Sequence, residues 1–263
     1  MIIDVHGHIG YTTPGAARPA HVTTYAGVCN VDLVLVSNRD AASCPPGAAD
    51  LDEAAANGAC LDACRTYGRL APVYWIRPGR TDSHVPALVG ALQMEAFVAA
   101  MLAPAANDYE PDPHLLGPYL GALVLVSRPL LVCVSDDDRT APAKLYALAA
   151  GHPRLPVVLC ACGAGPGRRA ELLDLVRRAV HREDARLYLD TSHATAEAIR
   201  QAVYAVGAER LLFGTHAVAY DDAHIPRHIA LLDELRQALL PGEFAQVTGG
   251  NAARLLGLDR AAR

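Results

Sequence analysis

Two histidines near the N-terminus have the side-chain type and the spacing to bind a divalent metal ion. His6 and His8 stand two residues apart in the segment DVHGH, so on a β-strand their side chains point to the same side. Two imidazoles on one face form half of a divalent metal site. Asp4 lies two residues before His6 and is therefore predicted on the same face of the strand.

Short apolar segments recur along the chain and predict the strands that would position such side chains. Their starts lie roughly 25 to 40 residues apart, which is typical of βα units. Most of them are continuously apolar, which is typical of strands buried on both faces of a parallel sheet. The predicted strands cover residues 1–8, 31–38, 70–76, 96–102, 129–135, 155–162, 185–192 and 210–216.

Helical patterns separate several of these strands and indicate the fold class. Residues 168–180 and 194–207 read as helices, and the second ends at a glycine suited to a C-cap. Two more helical patterns, 225–242 and 251–258, follow the eighth strand. The order predicts a (β/α)₈ TIM-like barrel, an α/β fold, as one domain over residues 1–263. A doubly wound open sheet is the alternative, disfavoured because no glycine-rich phosphate loop follows the first strand.

Composition excludes several classes of function. Hydrophobic residues make up 52% of the 263 residues, which is enough for a substantial core. The net charge is −5 without a long basic run, so we expect neither nucleic acid nor a membrane surface as a partner. No signal peptide is visible, and the seven cysteines are an odd number. Both observations predict reduced thiols and a cytoplasmic location.

The single lysine limits the chemistry further. Lys144 lies in RTAPAKLYALAAG, where it is predicted in the first turn of a helix. That position disfavours a Schiff-base lysine and a carbamylated lysine bridging two metals.

Residues 103–118 are proline-rich and are predicted to form a loop after the fourth strand. Five histidines without partners at metal-ligand spacing are expected on the surface: His21, His84, His114, His181 and His228.

Segments at both ends of the chain resemble amidohydrolase-related proteins. MIIDVHGH (1–8), RLLFGTHAV (210–218) and VTGGNAARLLGL (247–258) are similar to their start and finish. The subgroup includes the aminocarboxymuconate-semialdehyde and resorcylate decarboxylases and several small-molecule hydrolases. The resemblance runs nearly end to end and implies a distorted barrel with one divalent metal, often zinc. It also implies that a first-strand histidine pair, a later histidine and a strand-eight aspartate bind the metal, and that this aspartate takes a proton from water.

The sequence keeps only part of that family pattern. His6 and His8 match the histidine pair, and small or apolar residues or cysteine occupy most of the other functional positions. Polar groups are costly to bury without partners, so these replacements suggest that the ancestral chemistry has relaxed. The replaced positions are Met101 and Ala103 on strand four, Cys133 on strand five, Ala161 on strand six and His216 on strand eight.

A metal site could persist in two forms. His6, His8, His216 and Cys133 together could form a closed structural zinc site. Alternatively, the three histidines and a water could form a Lewis-acid centre, with His216 and His193 as catalytic residues. Candidates for the replacement base are His193, just after strand seven, and Asp221 or Asp222.

Two functions follow from these forms. The first is a divergent metal-dependent hydrolase or decarboxylase that acts on a small molecule through one divalent metal, most simply zinc. The alternative is an inactive relative of the same fold that binds a ligand or serves as a structural subunit. The family also implies a homodimer, and the alternative implies a heteromer with a related barrel.

Overall fold

Eight parallel strands form one sheet in sequence order in the computed structural model, which confirms the predicted (β/α)₈ barrel. The structure describes residues 1–13, 16–44, 46–94, 96–216 and 223–258. Each strand lies parallel to the next one along the chain. The strands are β1 (Ile3–Ile9), β2 (Leu33–Asn38), β3 (Leu70–Trp75), β4 (Ala99–Leu102), β5 (Leu130–Ser135), β6 (Pro156–Gly163), β7 (Arg186–Asp190) and β8 (Leu211–Leu212).

A helix follows every strand, and two short helices come after the last βα unit. The four helical patterns of the C-terminal half coincide with α6, α7, α8 and α10. Gly207 ends α7 with φ of 87°, a conformation that glycine adopts without steric cost. The helices are α1 (Pro19–Val28), α2 (Glu53–Thr66), α3 (Val85–Gln93), α4 (Pro113–Leu125), α5 (Pro142–Ala150), α6 (Pro166–Arg182), α7 (Ala196–Val206), α8 (His224–Ala238), α9 (Pro241–Ala245) and α10 (Asn251–Leu256).

The barrel closes between the last strand and the first. The main-chain nitrogen of Val5 donates to the oxygen of Phe213 at 2.9 Å. The predicted eighth strand, 210–216, was too long, because β8 covers only Leu211–Leu212. The nitrogen of Phe213 bonds instead to the oxygen of Val247, also at 2.9 Å, so the chain after β8 is held by the segment before α10.

Apolar side chains cover both faces of the sheet. Val5, Leu35, Trp75 and Leu131 belong to one buried cluster inside the barrel. Separate clusters join the outer face of the strands to the surrounding helices. The continuously apolar segments are therefore strands buried on both faces, as predicted.

An irregularity in β1 corrects the prediction for Asp4. Asp4 pairs with Val34 and Gly7 pairs with Val36, so β1 uses one residue more than β2 across this interval. Because the extra residue shifts the alternation, Asp4 and His6 do not share a face. The Asp4 carboxylate faces α1, where it accepts a hydrogen bond from the Tyr25 hydroxyl at 3.0 Å. The two histidines remain on the inner face.

The proline-rich segment after β4 is only partly a loop. The predicted loop 103–118 ends early, because α4 begins at Pro113. The side chain of Asp112 caps this helix by accepting from the main-chain nitrogens of His114 and Leu115. Proline suits the first position of a helix, where its missing N–H has no intrahelical acceptor.

The position of Lys144 agrees with the sequence prediction. Lys144 lies in the first turn of α5 and forms an ion pair with Glu110 at 2.6 Å. This position does not favour a role as a nucleophile. In the described ranges, every helix is too short or too polar to span a lipid bilayer.

Candidate metal centre

Three imidazoles converge inside the carboxyl-terminal mouth of the barrel. One ring nitrogen each of His6, His8 and His216 lies within 4.8 Å of the others, and all three residues are buried. The Nε2 atoms of His6 and His8 are 3.3 Å apart. Two nitrogens bound tetrahedrally to one zinc ion at about 2.0–2.1 Å lie roughly 3.3–3.4 Å from each other. The pair therefore has the spacing of two ligands of one metal ion.

Partners on neighbouring strands fix the orientation of the first two rings. The Nδ1 atom of His6 lies 2.7 Å from Oδ2 of Asp190 and 3.1 Å from the Ser192 hydroxyl. The Nδ1 atom of His8 lies 2.7 Å from the Ser37 hydroxyl. Metal-binding histidines use partners of this kind, because a bond at one nitrogen directs the other towards the metal. The arrangement thus fits a divalent cation.

His216 is oriented by another histidine. Its Nδ1 lies 2.9 Å from Nε2 of His193, which leaves Nε2 of His216 as the nitrogen for a metal. Both residues have left-handed backbones, with φ of 58° for His193 and 49° for His216. Such conformations cost about 1–3 kcal/mol in non-glycine residues and cluster at functional sites. A guanidinium nitrogen of Arg169 holds the turn by donating to the carbonyl of His193 at 2.6 Å.

The two histidines of β1 differ strongly in pKa. Burial lowers the pKa of His6, but the hydrogen bonds to Asp190 and Cys133 and the charges of these two residues together outweigh burial and raise the pKa to about 10. Burial lowers the pKa of His8 to about 4, assisted by the positive charge of His6. A metal ion would replace the proton of His6, since metal-binding imidazoles must be neutral.

The second pair is neutral at physiological pH. Burial, followed by the charges of His6 and His8, holds the pKa of His216 well below its usual value. The pKa of His193 is lowered by burial and by the charge of Arg169. His193 lies at the exposed end of the pair, where a neutral imidazole can accept a proton.

Cys133 borders the three-histidine group. It lies at the end of β5, half-buried, and its sulfur is 3.7 Å from the sulfur of Met101. It also forms hydrogen bonds with His6 and His8, which contribute to the raised pKa of His6 and offset part of the lowering of the His8 pKa. Its role as a fourth ligand stays a prediction.

Asp190 is a central residue that the sequence reasoning missed. Its Oδ2 also accepts from the hydroxyl of Ser192, and its Oδ1 accepts from the main-chain nitrogen of Ala161 at 2.9 Å. A second group of ligand atoms, from His6, Cys160 and Asp190, also lies within 4.8 Å. Since both Asp190 oxygens already have partners, we interpret the residue as an anchor of His6. The signal was its position at the carboxyl end of β7.

Arg39 is a second residue that the sequence reasoning missed. It directly follows β2, and its positive charge lowers the pKa of both His8 and His216. Its guanidinium forms no hydrogen bond or ion pair with any residue in the described part of the chain. A half-buried arginine at the mouth of the site is suited to bind an anionic group of a ligand.

Three of the replaced family positions line the site without a charged group. Met101, Ala103 and Ala161 are buried around the mouth and supply no ionisable group. Asp221 and Asp222 lie outside the described residues.

The prediction of a surface position was wrong for one histidine. His228 is buried on α8, and its ring lies 4.1 Å from that of His224, one turn earlier. Its Nδ1 lies 2.8 Å from the main-chain oxygen of His224. The i, i+4 spacing on a half-apolar helix was the signal. The other four histidines expected on the surface are exposed: His21, His84, His114 and His181.

Comparison with known proteins places the chain in a family. A family model described as amidohydrolase matches residues 3–258, so the chain belongs to the amidohydrolase family. No curated protein matches the sequence.

Solved structures with the same fold include several decarboxylases. A 2,6-dihydroxybenzoate decarboxylase complexed with 2,6-dihydroxybenzoate matches with a TM-score of 0.74 and 15% identity, covering 98% of this chain and all of the other. A dihydroxybenzoic acid decarboxylase from Polaromonas sp. JS666, with bound manganese and 2-nitroresorcinol, matches with a TM-score of 0.75 and 13% identity, covering 99% and 98%. A 4-oxalomesaconate hydratase from Rhodopseudomonas palustris matches with a TM-score of 0.68 and 19% identity, covering 100% and 98%. At these identities the likeness establishes the fold.

Proposed function

We propose that this protein is a divergent metal-dependent hydrolase or decarboxylase that acts on a small molecule. One divalent metal, most simply zinc, would be held by His6, His8 and His216. The convergence of three buried imidazoles, with a partner at Nδ1 of each ring, carries this proposal. A buried cluster of this kind is costly unless a ligand uses it.

A bound divalent cation would supply Lewis-acid polarisation of a carbonyl or carboxylate group. The protein's own part is to hold the three nitrogens in place before substrate arrives. Asp190 and Ser37 do this for the β1 pair, and His193 does it for His216. Cys133 is the candidate for a fourth ligand, and a site that includes it would be closed and structural.

The pair His193–His216 is the candidate for proton transfer, in place of the family's aspartate. The 2.9 Å hydrogen bond between the rings lets one imidazole pass a proton to the other. His193 lies at the outer end, so it can exchange protons with substrate or solvent. With His193 as the base, His216 still takes part in proton transfer at the position where the family has its aspartate.

Arg39 favours a substrate that carries a carboxylate. The guanidinium lies close enough to influence His8 and His216, and its own charge has no counter-ion among the described residues. A carboxylate bound there would lie beside the metal ligands. The decarboxylases among the similar structures support this substrate class by analogy of fold.

A substrate screen tests the proposal. Protein loaded with zinc or with manganese would be incubated with hydroxybenzoates, other aromatic carboxylic acids and their amides, and products followed by mass spectrometry. We expect turnover that chelator abolishes and that the His216→Ala variant lacks. Turnover that survives both treatments would contradict a role for this site.

The alternative is an inactive relative that serves as a ligand-binding or structural subunit. The apolar Met101, Ala103 and Ala161 around the mouth favour it, because they offer no polar contact to a substrate. Metal binding without turnover of any compound, together with stable assembly with a second barrel protein, would support this alternative. We further propose a cytoplasmic protein that forms a homodimer or pairs with a related barrel.

A further inference from the structure

A cavity of about 660 Å³ at the amino-terminal end of the barrel, away from the histidines, is bordered by positive charge. Its four basic residues come from the starts of three neighbouring strands and from the last helix. One precedes β5, one precedes β6, one begins β7 and one lies on α10. They are Arg128, Arg154, Arg186 and Arg254.

None of these four arginines forms an ion pair with a carboxylate of the described residues, whereas several other basic residues of the protein do. Arg139, Lys144 and Arg200, for example, all form ion pairs. The described residues that line the cavity include no aspartate or glutamate. Residues 259–263, which lie outside the described part, contain one aspartate and two arginines, so their side chains add no net negative charge.

Among the described residues, the four guanidiniums form few hydrogen bonds, so most of their N–H donors have no acceptor there. Arg186 donates to the main-chain oxygen of Arg154 at 3.2 Å, and Arg254 donates to the amide oxygen of Asn251. Within the described ranges, the side chains of Arg128 and Arg154 donate to no residue. Each guanidinium has five N–H donors in a planar fork that matches phosphate oxygens.

Like charges around one cavity repel each other, and a bound anion would relieve that repulsion. The cavity has the size of a small-molecule site, which typically measures about 300–1,000 Å³. Leu123, Leu155 and Leu256 also line it, and an apolar wall strengthens the attraction between a guanidinium and an anion.

We propose that this basic cavity binds a small phosphate-bearing anion. The site is independent of the histidine centre, since it lies at the other end of the strands and shares no residue with it. The ligand class follows from the charge and fork geometry of arginine, and the apolar wall leaves room for an organic group attached to the phosphate.

Isothermal titration calorimetry with pyrophosphate at fixed ionic strength tests the proposal. The variant Arg128→Gln/Arg154→Gln removes the two guanidiniums that donate no hydrogen bond to a described residue. The control, Arg65→Gln/Arg177→Gln, removes two exposed arginines that pair with aspartates on helices. We expect saturable binding to the wild type and the control with Kd values within twofold, and a Kd at least tenfold higher for the cavity variant.

Thermal unfolding at low salt gives a second measurement that does not depend on calorimetry. Without anion, the cavity variant should be at least as stable as the wild type, because repulsion has been reduced. Pyrophosphate should raise the Tm of the wild type and the control more than that of the cavity variant. Equal pyrophosphate affinities for the cavity variant and the wild type would place the anion elsewhere, for instance at a metal ion, and would overturn the proposal. An absence of saturable binding to the wild type would overturn it as well.

Discussion

The Nε2 atoms of His6 and His8 lie 3.3 Å apart on the inner face of β1, a separation that two ligands of one tetrahedral metal ion would have. The extra residue in β1 turns Asp4 outward and leaves both rings inside the barrel. Asp190 then holds one ring and Ser37 the other. The strand and its neighbours therefore hold the two rings in an arrangement that a divalent metal ion would fit.

The anchor of His6 gives the first prediction. Asp190→Asn weakens the hydrogen bond that orients Nδ1 of His6, so metal affinity should fall roughly 10- to 100-fold. A competition titration with a chromophoric chelator measures this. The matched control, Asp174→Asn, removes an exposed carboxylate on α6 and should leave the affinity unchanged. An Asp190→Asn protein with wild-type affinity would show that the carboxylate does not position the ring.

The second prediction concerns proton transfer. His193→Asn removes the imidazole but keeps a residue that tolerates the left-handed backbone at this position. With the best substrate from the screen, kcat should fall by roughly 100-fold, because general acid–base catalysis contributes at least that much. Metal content measured in excess zinc should stay at the wild-type level, because the variant keeps all three ligand imidazoles and loses only the partner that orients His216. The control is His84→Asn, which changes an exposed histidine. Loss of metal from the His193 variant would contradict the prediction and would assign His193 a purely structural role.

The third prediction separates binding from catalysis. Arg39→Gln should raise KM for carboxylate-bearing substrates by about tenfold or more, since a hydrogen bond to a charged group contributes about 1.5–3 kcal/mol. The KM for a neutral amide analogue should change little. Steady-state kinetics on both compounds, with Arg65→Gln as the control, gives the answer. Equal effects on the two compounds would argue against a carboxylate contact.

The histidine pair of α8 predicts how stability depends on pH. Burial lowers the pKa of His224 from 6.5 to about 3, with contributions from His228 and Arg227. Between these values the unfolded chain binds more protons than the folded one. The free energy of unfolding therefore decreases as the pH falls from about 6.5 towards about 3.

The variant His224→Phe tests this dependence, because it keeps an aromatic ring against Tyr25 and removes the titratable group. Denaturant unfolding at about pH 8 and about pH 5 should show a loss of stability on acidification that is smaller by about 1 kcal/mol in the variant than in the wild type. The free energy of unfolding of each protein is compared between the two pH values, so any pH-independent cost of fitting phenylalanine cancels. An identical loss in both proteins would contradict the assignment.

The sequence predicted the fold well, because strand spacing and apolar character are local properties. The predicted sixth strand, 155–162, is displaced from β6 by a single residue. The eighth strand was overestimated because its apolar pattern continues after the ladder to β7 has ended. Closure by Phe213 and Val5 depends on two ends of the chain meeting, which no local pattern describes.

The candidate site was predicted only in part, for a related reason. The histidine pair of β1 could be read from its spacing, and His216 from the resemblance of residues 210–218 to the family's eighth strand. The contact between His6 and Asp190 joins residues 184 positions apart, so only the closed barrel brings them together. Asp4 was misplaced because a β-bulge leaves no clear trace in the alternation of a wholly buried strand.

Metal content tests the central claim most directly. Untagged protein, reconstituted with zinc and dialysed, would be analysed by inductively coupled plasma mass spectrometry beside His6→Ala/His8→Ala and a matched control, His84→Ala/His114→Ala, at exposed histidines. We predict about one metal ion per chain in the wild type and the control, and none in the β1 variant. A wild-type chain that retains no metal, or a β1 variant that retains as much as the wild type, would contradict the account.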